Sequence, residues 1–129
     1  MNADERQIIE NKLGPVANSI APVLITMVDS DVDAVIPIDR DAFVHLTEAE
    51  AGAYTLAVPG AANIGRRLVL CGGSDFAHVV TAASTSVRDG TTGGHGTLTS
   101  PAFQGGTLTL RAVTAAIWQV EANNLWVIT

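Results

Sequence analysis

The sequence predicts an all-β fold, a small β-sandwich or barrel, with an N-terminal helical arm. Three observations carry this. Tyr54, Leu56 and Val58 alternate with small or polar residues at period two, Pro59-Gly60 stops that run, and Leu68 to Cys71 begins another. Most of the chain beyond Cys71 repeats this form, giving nine or so short apolar runs in all, separated by turn residues. After residue 15 no stretch has the length or the 3.6-residue period of a helix.

In chain order, Asn2 followed by Glu5 approximates a capping box. Ala3 to Leu13 then carries helix-compatible residues with Ile9 and Leu13 four apart, and Gly14-Pro15 ends the run. Three turns with so few apolar residues would be marginal alone, so this helix needs a surface to lie on. Val23 to Val28 reads as a buried strand. Ala34 to Ile38 reads as a second, placed by Pro37 at an edge or in an extended arm. These segments make residues 1–41 an arm and residues 42–129 a β-domain. Ala42 to Leu46 is a short strand, and Thr47 to Glu50 a turn or a brief helical start.

Beyond the strand, turn and strand of Ala53 to Cys71, read as a hairpin, strands are expected over Phe76 to Ala82, Thr85 to Arg88, Thr107 to Val113, Ala115 to Val120 and Leu125 to Ile128. Asn123-Asn124 favours a tight hairpin joining the last two. The chain ends within a strand, so its C-terminus should be tied into the sheet. Asp89 to Gly96 is a glycine-rich loop, mobile unless a partner orders it. Together these make the body jelly-roll-like.

With 129 residues the chain is of one-domain size and buries roughly two-thirds of its unfolded surface without disulfides or a metal. Hydrophobic residues make up 47% but aromatics only 5%, which suits sheet packing more than a deep ligand pocket. The net charge of −6 is uneven: residues 1–50 hold 10 acidic and 3 basic side chains, residues 51–129 hold 3 and 4. An acidic arm on a near-neutral body argues against nucleic acid, which needs clustered Lys and Arg. No apolar run approaches the roughly 18 residues that span a bilayer, and Asp4 and Glu5 stand where a signal peptide would be basic. The expectation is synthesis in a reducing cytoplasm, with no membrane partner.

Candidate chemistry is sparse. Asp29-Ser30-Asp31-Val32-Asp33 imitates the start of a calcium loop, but Ala34 replaces the turn glycine and Arg40 the bidentate Glu, so it reads as a solvated acidic turn. Gly90 to Gly96 lacks a Gly-Lys-Ser/Thr, a GxGxxG spacing and a following helix, and its one reactive side chain is His95. His45, His78 and His95 share no ligand spacing; His45 and His78 read as strand residues with one nitrogen hydrogen-bonded. Cys71, before Gly72-Gly73-Ser74-Asp75, reads as a buried structural thiol, since no helix follows to lower its pKa. There is no GxSxG and no Ser-x-x-Lys. Asp29, Asp31, Asp33, Asp39, Asp41, Glu48 and Glu50 read as a solvated face rather than a glycosidase pair. Trp118 and Trp126 read as a core or cross-strand pair of the terminal hairpin. Arg66-Arg67 alternates faces, so one should point outward as a lone exposed arginine or an interface contact. No catalytic residue, cofactor site or metal site is expected.

Four motifs in order resemble small trimeric decoration (cement) and head-fibre proteins of tailed bacteriophages. They are Leu56-Ala57-Val58-Pro59, Asn63-Ile64-Gly65-Arg66, Gly105-Gly106-Thr107-Leu108-Thr109-Leu110-Arg111-Ala112 and Trp118-Gln119-Val120, within Tyr54 to Thr129. The resemblance implies a non-enzymatic structural homotrimer on the outer surface of the virion, at threefold positions of an icosahedral head, bridging units of the major capsid protein. It implies an N-terminal arm reaching the shell or a sister subunit, for which Ile8, Ile9, Leu13, Val16 and Ile20 are the apolar candidates. Arg66, Arg67 and His95 are candidate subunit or shell contacts. Two alternatives stand beside it. A trimeric fibre or receptor-binding tip would use the Asp89 to Gly96 loop on a host glycan and expose its tryptophans, whereas a cement protein would bury them. A small cupin-like metal enzyme would bring the three histidines together.

Overall fold

The structure is a computed structural model, and it describes residues 22–28, 34–83, 85–91 and 93–129. Among these residues there are ten strands: β1 (Val23–Met27), β2 (Ala42–Leu46), β3 (Ala53–Leu56), β4 (Arg67–Gly72), β5 (Val79–Ala82), β6 (Val87–Arg88), β7 (Thr97–Thr99), β8 (Thr107–Thr114), β9 (Ile117–Asn123) and β10 (Val127–Ile128). They form a six-stranded sheet of order β1-β2-β4-β8-β9-β6 and a four-stranded sheet of order β10-β7-β5-β3.

The all-β sandwich expected from the sequence is the fold the chain adopts, and period-two alternation is the reason. Ala42, Val44 and Leu46 of β2 face inward, as do Tyr54 and Leu56 of β3 and Leu108, Leu110 and Ala112 of β8, while the residues between them face out or lie half-buried. Leu68 and Leu70 of β4 join the larger sheet's inner face, and Val80, Ala82 and Leu98 complete the smaller sheet's. One continuous core results, each Leu- or Val-sized side chain contributing roughly 1.5–3 kcal/mol by leaving water.

The chain winds between the sheets instead of running back along one. β1, β2 and β4 lie parallel in the larger sheet. Opposite them, Val35 bridges in parallel to Thr55 of β3, and β3 pairs in parallel with β5. Each of these larger-sheet strands is followed by its smaller-sheet counterpart, so the first half of the body makes three turns of a parallel winding. The step is the same on both sides: 26 residues separate Ala42 from its partner Leu68, and 26 separate Thr55 from Thr81. Parallel neighbours need a long crossover, and here the opposite sheet's strand supplies it where a helix commonly does. Antiparallel pairs close the far side: β4 with β8, β8 with β9, β5 with β7 and β7 with β10.

This winding corrects several local expectations. Ala53 to Cys71 is not a hairpin, because β3 and β4 belong to opposite sheets. The segment between them, with a 3-10 turn at Ala61–Asn63 and left-handed Gly60 and Gly65, carries the chain across. Asn123-Asn124 does not make a terminal hairpin either, since β9 and β10 also lie in different sheets. The Asn123 side chain turns the chain by donating from Nδ2 to Trp126 O and accepting from Trp126 N–H, both at 2.9 Å. β7 is a strand that sequence periodicity misses at three residues. The sheets are mixed, whereas a jelly roll is antiparallel throughout.

β1 is an edge strand rather than a buried one, with Val23 45% and Leu24 66% exposed. Ala34 to Ile38 supplies one bridge and the fully buried Ile36, whose N–H donates to Thr55 O at 2.9 Å. These extended segments, assigned to the arm over residues 1–41, are therefore built into the β-body. The expected helix over Ala3 to Leu13, the arm residues Ile8, Ile9, Leu13, Val16 and Ile20, and the Asp29 to Asp33 turn lie outside the described residues. The C-terminus is tied in as expected: Thr129 N–H donates to Thr97 O, and Thr129 O accepts from Thr97 N–H and Gly96 N–H. No helix among the described residues is long and apolar enough to cross a membrane.

Candidate functional site

Ser74 and His78 come closest to a catalytic arrangement, with Ser74 Oγ 2.7 Å from His78 Nε2. The larger sheet's β4 ends at Gly72, and the loop to β5 runs through Ser74, bringing the hydroxyl within hydrogen-bond distance of the imidazole. The other ring nitrogen decides what this pair does. Gly52 N–H donates to Nδ1 at 3.1 Å, so Nδ1 is an acceptor and the ring proton sits on Nε2. His78 thus donates to Ser74 Oγ, and the Ser74 hydroxyl donates in turn to Glu48 O at 2.6 Å. A serine nucleophile needs the reverse, a histidine nitrogen that accepts the hydroxyl proton. The pair acts as a buried clasp. His78 N–H also donates to Ser100 Oγ at 2.8 Å, and the Tyr54 ring meets the imidazole edge-on at 5.9 Å. Three loops and the start of β5 are joined through one fully buried residue, by its ring and its backbone N–H. His78 lies just before β5 and bonds through both nitrogens, where one was expected.

His95 is held within its own loop. It bridges antiparallel to Val87, and its Nε2 lies 3.2 Å from both Asp89 Oδ1 and Thr91 Oγ1. Thr91 donates to Asp89 Oδ1 from its hydroxyl at 2.6 Å and its N–H at 3.0 Å. The Thr91 hydroxyl, its backbone N–H and the nearby imidazole hold the Asp89 carboxyl below the ordinary carboxylate range. Proposed as a subunit or shell contact, His95 in this structure faces its loop partners.

The arginine pair divides as alternation predicts. Arg66 is half-buried at the end of the crossing segment, and Arg67 opens β4 facing outward. Arg67 stands directly across from Arg111 of β8, a like-charge pairing that costs stability unless something intervenes. Glu121 of β9 does so, accepting from Arg67 Nη2 at 3.1 Å and from Arg111 Nε, while Arg111 Nη1 donates to Gly65 O at 3.1 Å. The Arg111 hydrogen bond is the main reason the Glu121 carboxyl is held low, with Arg67 adding to it against partial burial. Arg67 is therefore not a lone exposed arginine. Glu121 was invisible to sequence reasoning, because only the β4–β8–β9 register brings it between two cations.

Cys71 is buried as expected, its Sγ 3.7 Å from Gly72 O, and burial pushes the thiol up. Both tryptophans seal the core: Trp118 Nε1–H donates to Ala57 O at 2.9 Å and Trp126 Nε1–H to Gly106 O at 3.0 Å. Trp118 anchors the β3–β4 connection and Trp126 the β7–β8 connection, and they are not a hairpin pair. Among the described residues no group of three or more His, Cys, Asp or Glu is placed to hold a metal ion. His45 lies on β2 with its ring tilted against Phe43, His78 in the clasp and His95 in its loop, so the convergence a cupin-like site needs is not formed. Comparison with known protein families, curated proteins and solved structures returned no match for this chain.

Proposed function

We propose that the chain is a non-enzymatic structural protein of a phage particle, a decoration protein that binds the major capsid protein as a homotrimer on the outer surface of the head. The observation that carries this reading is the placement of the tryptophans. A receptor-binding tip that stacks sugars on its tryptophans needs those indole faces in solvent, and both are instead enclosed with their N–H groups bonded to backbone carbonyls. Two further features support it. The Ser74–His78 pair is committed to holding loops, with its proton on the nitrogen that faces the serine. In the loop offered for glycan contact, Asp89, Thr91 and His95 bond one another.

The test is solution mass followed by shell binding. The full chain should have a mass that is a multiple of three protomers and co-sediment with assembled phage heads stripped of decoration. A shortened chain must begin at Pro22 rather than Ala42, since β1 and Ile36 belong to the body. Retention of threefold mass after that truncation would put the trimer interface in the β-body. A mass with no factor of three, together with no shell binding, would sink the reading.

A further inference from the structure

Among the described residues the two sheets have four lateral edges, and three are short or covered. β6 is two residues long and its outer side is taken by His95, which exchanges backbone hydrogen bonds with Val87 at 3.1 and 2.8 Å. β10 is two residues long. β3 is met by Val35 and Ile36. The fourth, β1, is a five-residue strand, Val-Leu-Ile-Thr-Met, with no charge, no internal proline and an unbroken register with β2. Proteins ordinarily guard such an edge with Lys, Pro or a bulge, and none is present within this strand.

The parallel register determines which of its backbone groups are open. Val23 N–H donates to Asp41 O at 3.0 Å, and Met27 O accepts from Thr47 N–H at 2.9 Å. In a parallel pair alternate residues face the neighbour, so Val23, Ile25 and Met27 face β2 and the N–H and C=O of Leu24 and Thr26 face outward. Beyond them the edge ends on both sides: Pro22 has no N–H, and Val28 is already engaged. A partner strand must therefore offer two outward residues two positions apart, with no charge opposite. β1 itself has this form.

We propose that β1 pairs antiparallel with β1 of a second copy across a two-fold axis, with Ile25 opposite Ile25. Leu24 of each copy then exchanges both backbone hydrogen bonds with Thr26 of the other, four bonds in all, and Ile25 with Ile25 is the intervening non-hydrogen-bonded pair. Val23 and Leu24, the most exposed apolar side chains of the strand, are covered by Met27 and Thr26 of the second copy. The contact uses the same patch on both copies, so it closes without leaving an open edge. It is independent of the capsid reading. Alone it makes a dimer, and combined with a trimer it makes a hexamer.

The test uses the full chain. Light scattering over a dilution series should give an even number of protomers, and Leu24→Lys, at an exposed position that leaves the core intact, should halve it. A mass of two falling to one supports the edge contact and overturns the trimer; six falling to three supports both. A mass that Leu24→Lys leaves unchanged overturns the edge contact, whatever its value. The register is tested separately. Across a non-hydrogen-bonded antiparallel pair the Cα atoms stand about 4.5 Å apart, within disulfide reach. Ile25→Cys should thus cross-link copies under a mild oxidant while Val23→Cys, which faces Met27 of the second copy, should not. Equal cross-linking at the two positions, or none at either, overturns the proposed pairing.

Discussion

Gly52 N–H donates to Nδ1 of His78 at 3.1 Å, and this bond orients a half-buried chain of hydrogen bonds that runs from the imidazole through Ser74 to Glu48 O. A side chain at position 52 would disturb it, since an added Cβ would stand 2.8 Å from Tyr54 Cε2 and 3.0 Å from His78 Nδ1. The glycine is required by close approach. Replacing His78 by Leu strands the Gly52 N–H away from water, which costs about 1–3 kcal/mol. His78→Leu should lower the urea midpoint accordingly without changing the slope of the transition. His78→Asn, which keeps an acceptor near the Nδ1 position, should recover part of the loss. Equal midpoints for wild type and His78→Leu would show that the clasp contributes nothing.

Gly90 and Gly94 lie in the same loop and should respond differently to alanine. Gly90 has φ +92 with open space around an added Cβ, so Gly90→Ala meets only the backbone penalty, roughly 1–2 kcal/mol. At Gly94 the new Cβ would sit 2.4 Å from Thr85 Cα and Thr85 O, and backbone must move. Thermal unfolding should rank Gly94→Ala well below Gly90→Ala. The opposite order would contradict the packing of Gly94 against Thr85.

Trp118 combines full burial with a hydrogen bond to the segment that crosses between the sheets. Trp118→Phe removes both the N–H bound to Ala57 O and part of the ring volume, a loss of roughly 1–3 kcal/mol from cavity and unpaired carbonyl together. In the wild-type protein, indole fluorescence should resist acrylamide quenching until the chain unfolds. Ready quenching in the native state would place a tryptophan in solvent and revive the glycan-binding alternative.

Glu121 and Asp89 predict the acid limb of stability. Both carboxyls are held below the ordinary range, Glu121 chiefly by Arg111 and Asp89 chiefly by Thr91. Each therefore adds stability that is complete above the unfolded carboxylate pKa of about 4, and is lost as pH falls through the lower folded value. At neutral pH Glu121→Gln should cost at most about 1 kcal/mol, because the cluster faces solvent, and the cost should shrink in high salt. Stability curves of wild type and Glu121→Gln should converge below pH ~4. Curves that stay parallel through that window would rule out the charge network as the cause. Asp89→Asn should converge in the same direction.

Much of the architecture was legible one strand at a time. Alternation marks which face of a strand meets the core, and at β2, β4 and β8 it identifies the buried side chains, because a sheet's two faces see different solvents. Burial of Cys71 and of both tryptophans was legible from residue type instead, since Cys71 lies on the face of β4 opposite Leu68 and Leu70 and Trp126 lies outside any strand. Strands too short to alternate were harder, and β7 sits against glycines that carry no pattern at all. Of the site, the outward turn of Arg67 could be read locally. Its partner Glu121 lies 54 positions along the chain and could not.

By itself, then, the sequence determined a β-body with small, branched residues inside and turns at regular intervals. Tertiary structure alone decided which strands are neighbours. A turn between two strands reads alike whether the chain folds back beside itself or crosses the roughly 10 Å to a facing sheet. At Ala57 to Arg66 and at Asn123 to Trp126 it crosses. The choice rests on long-range register: the parallel steps of β2 onto β4 and β3 onto β5 stack the inward side chains of both sheets at once, a gain a local hairpin could not supply. The same winding leaves β1 as an edge strand of the larger sheet among the described residues, because the turn on which it lies is the first of the three.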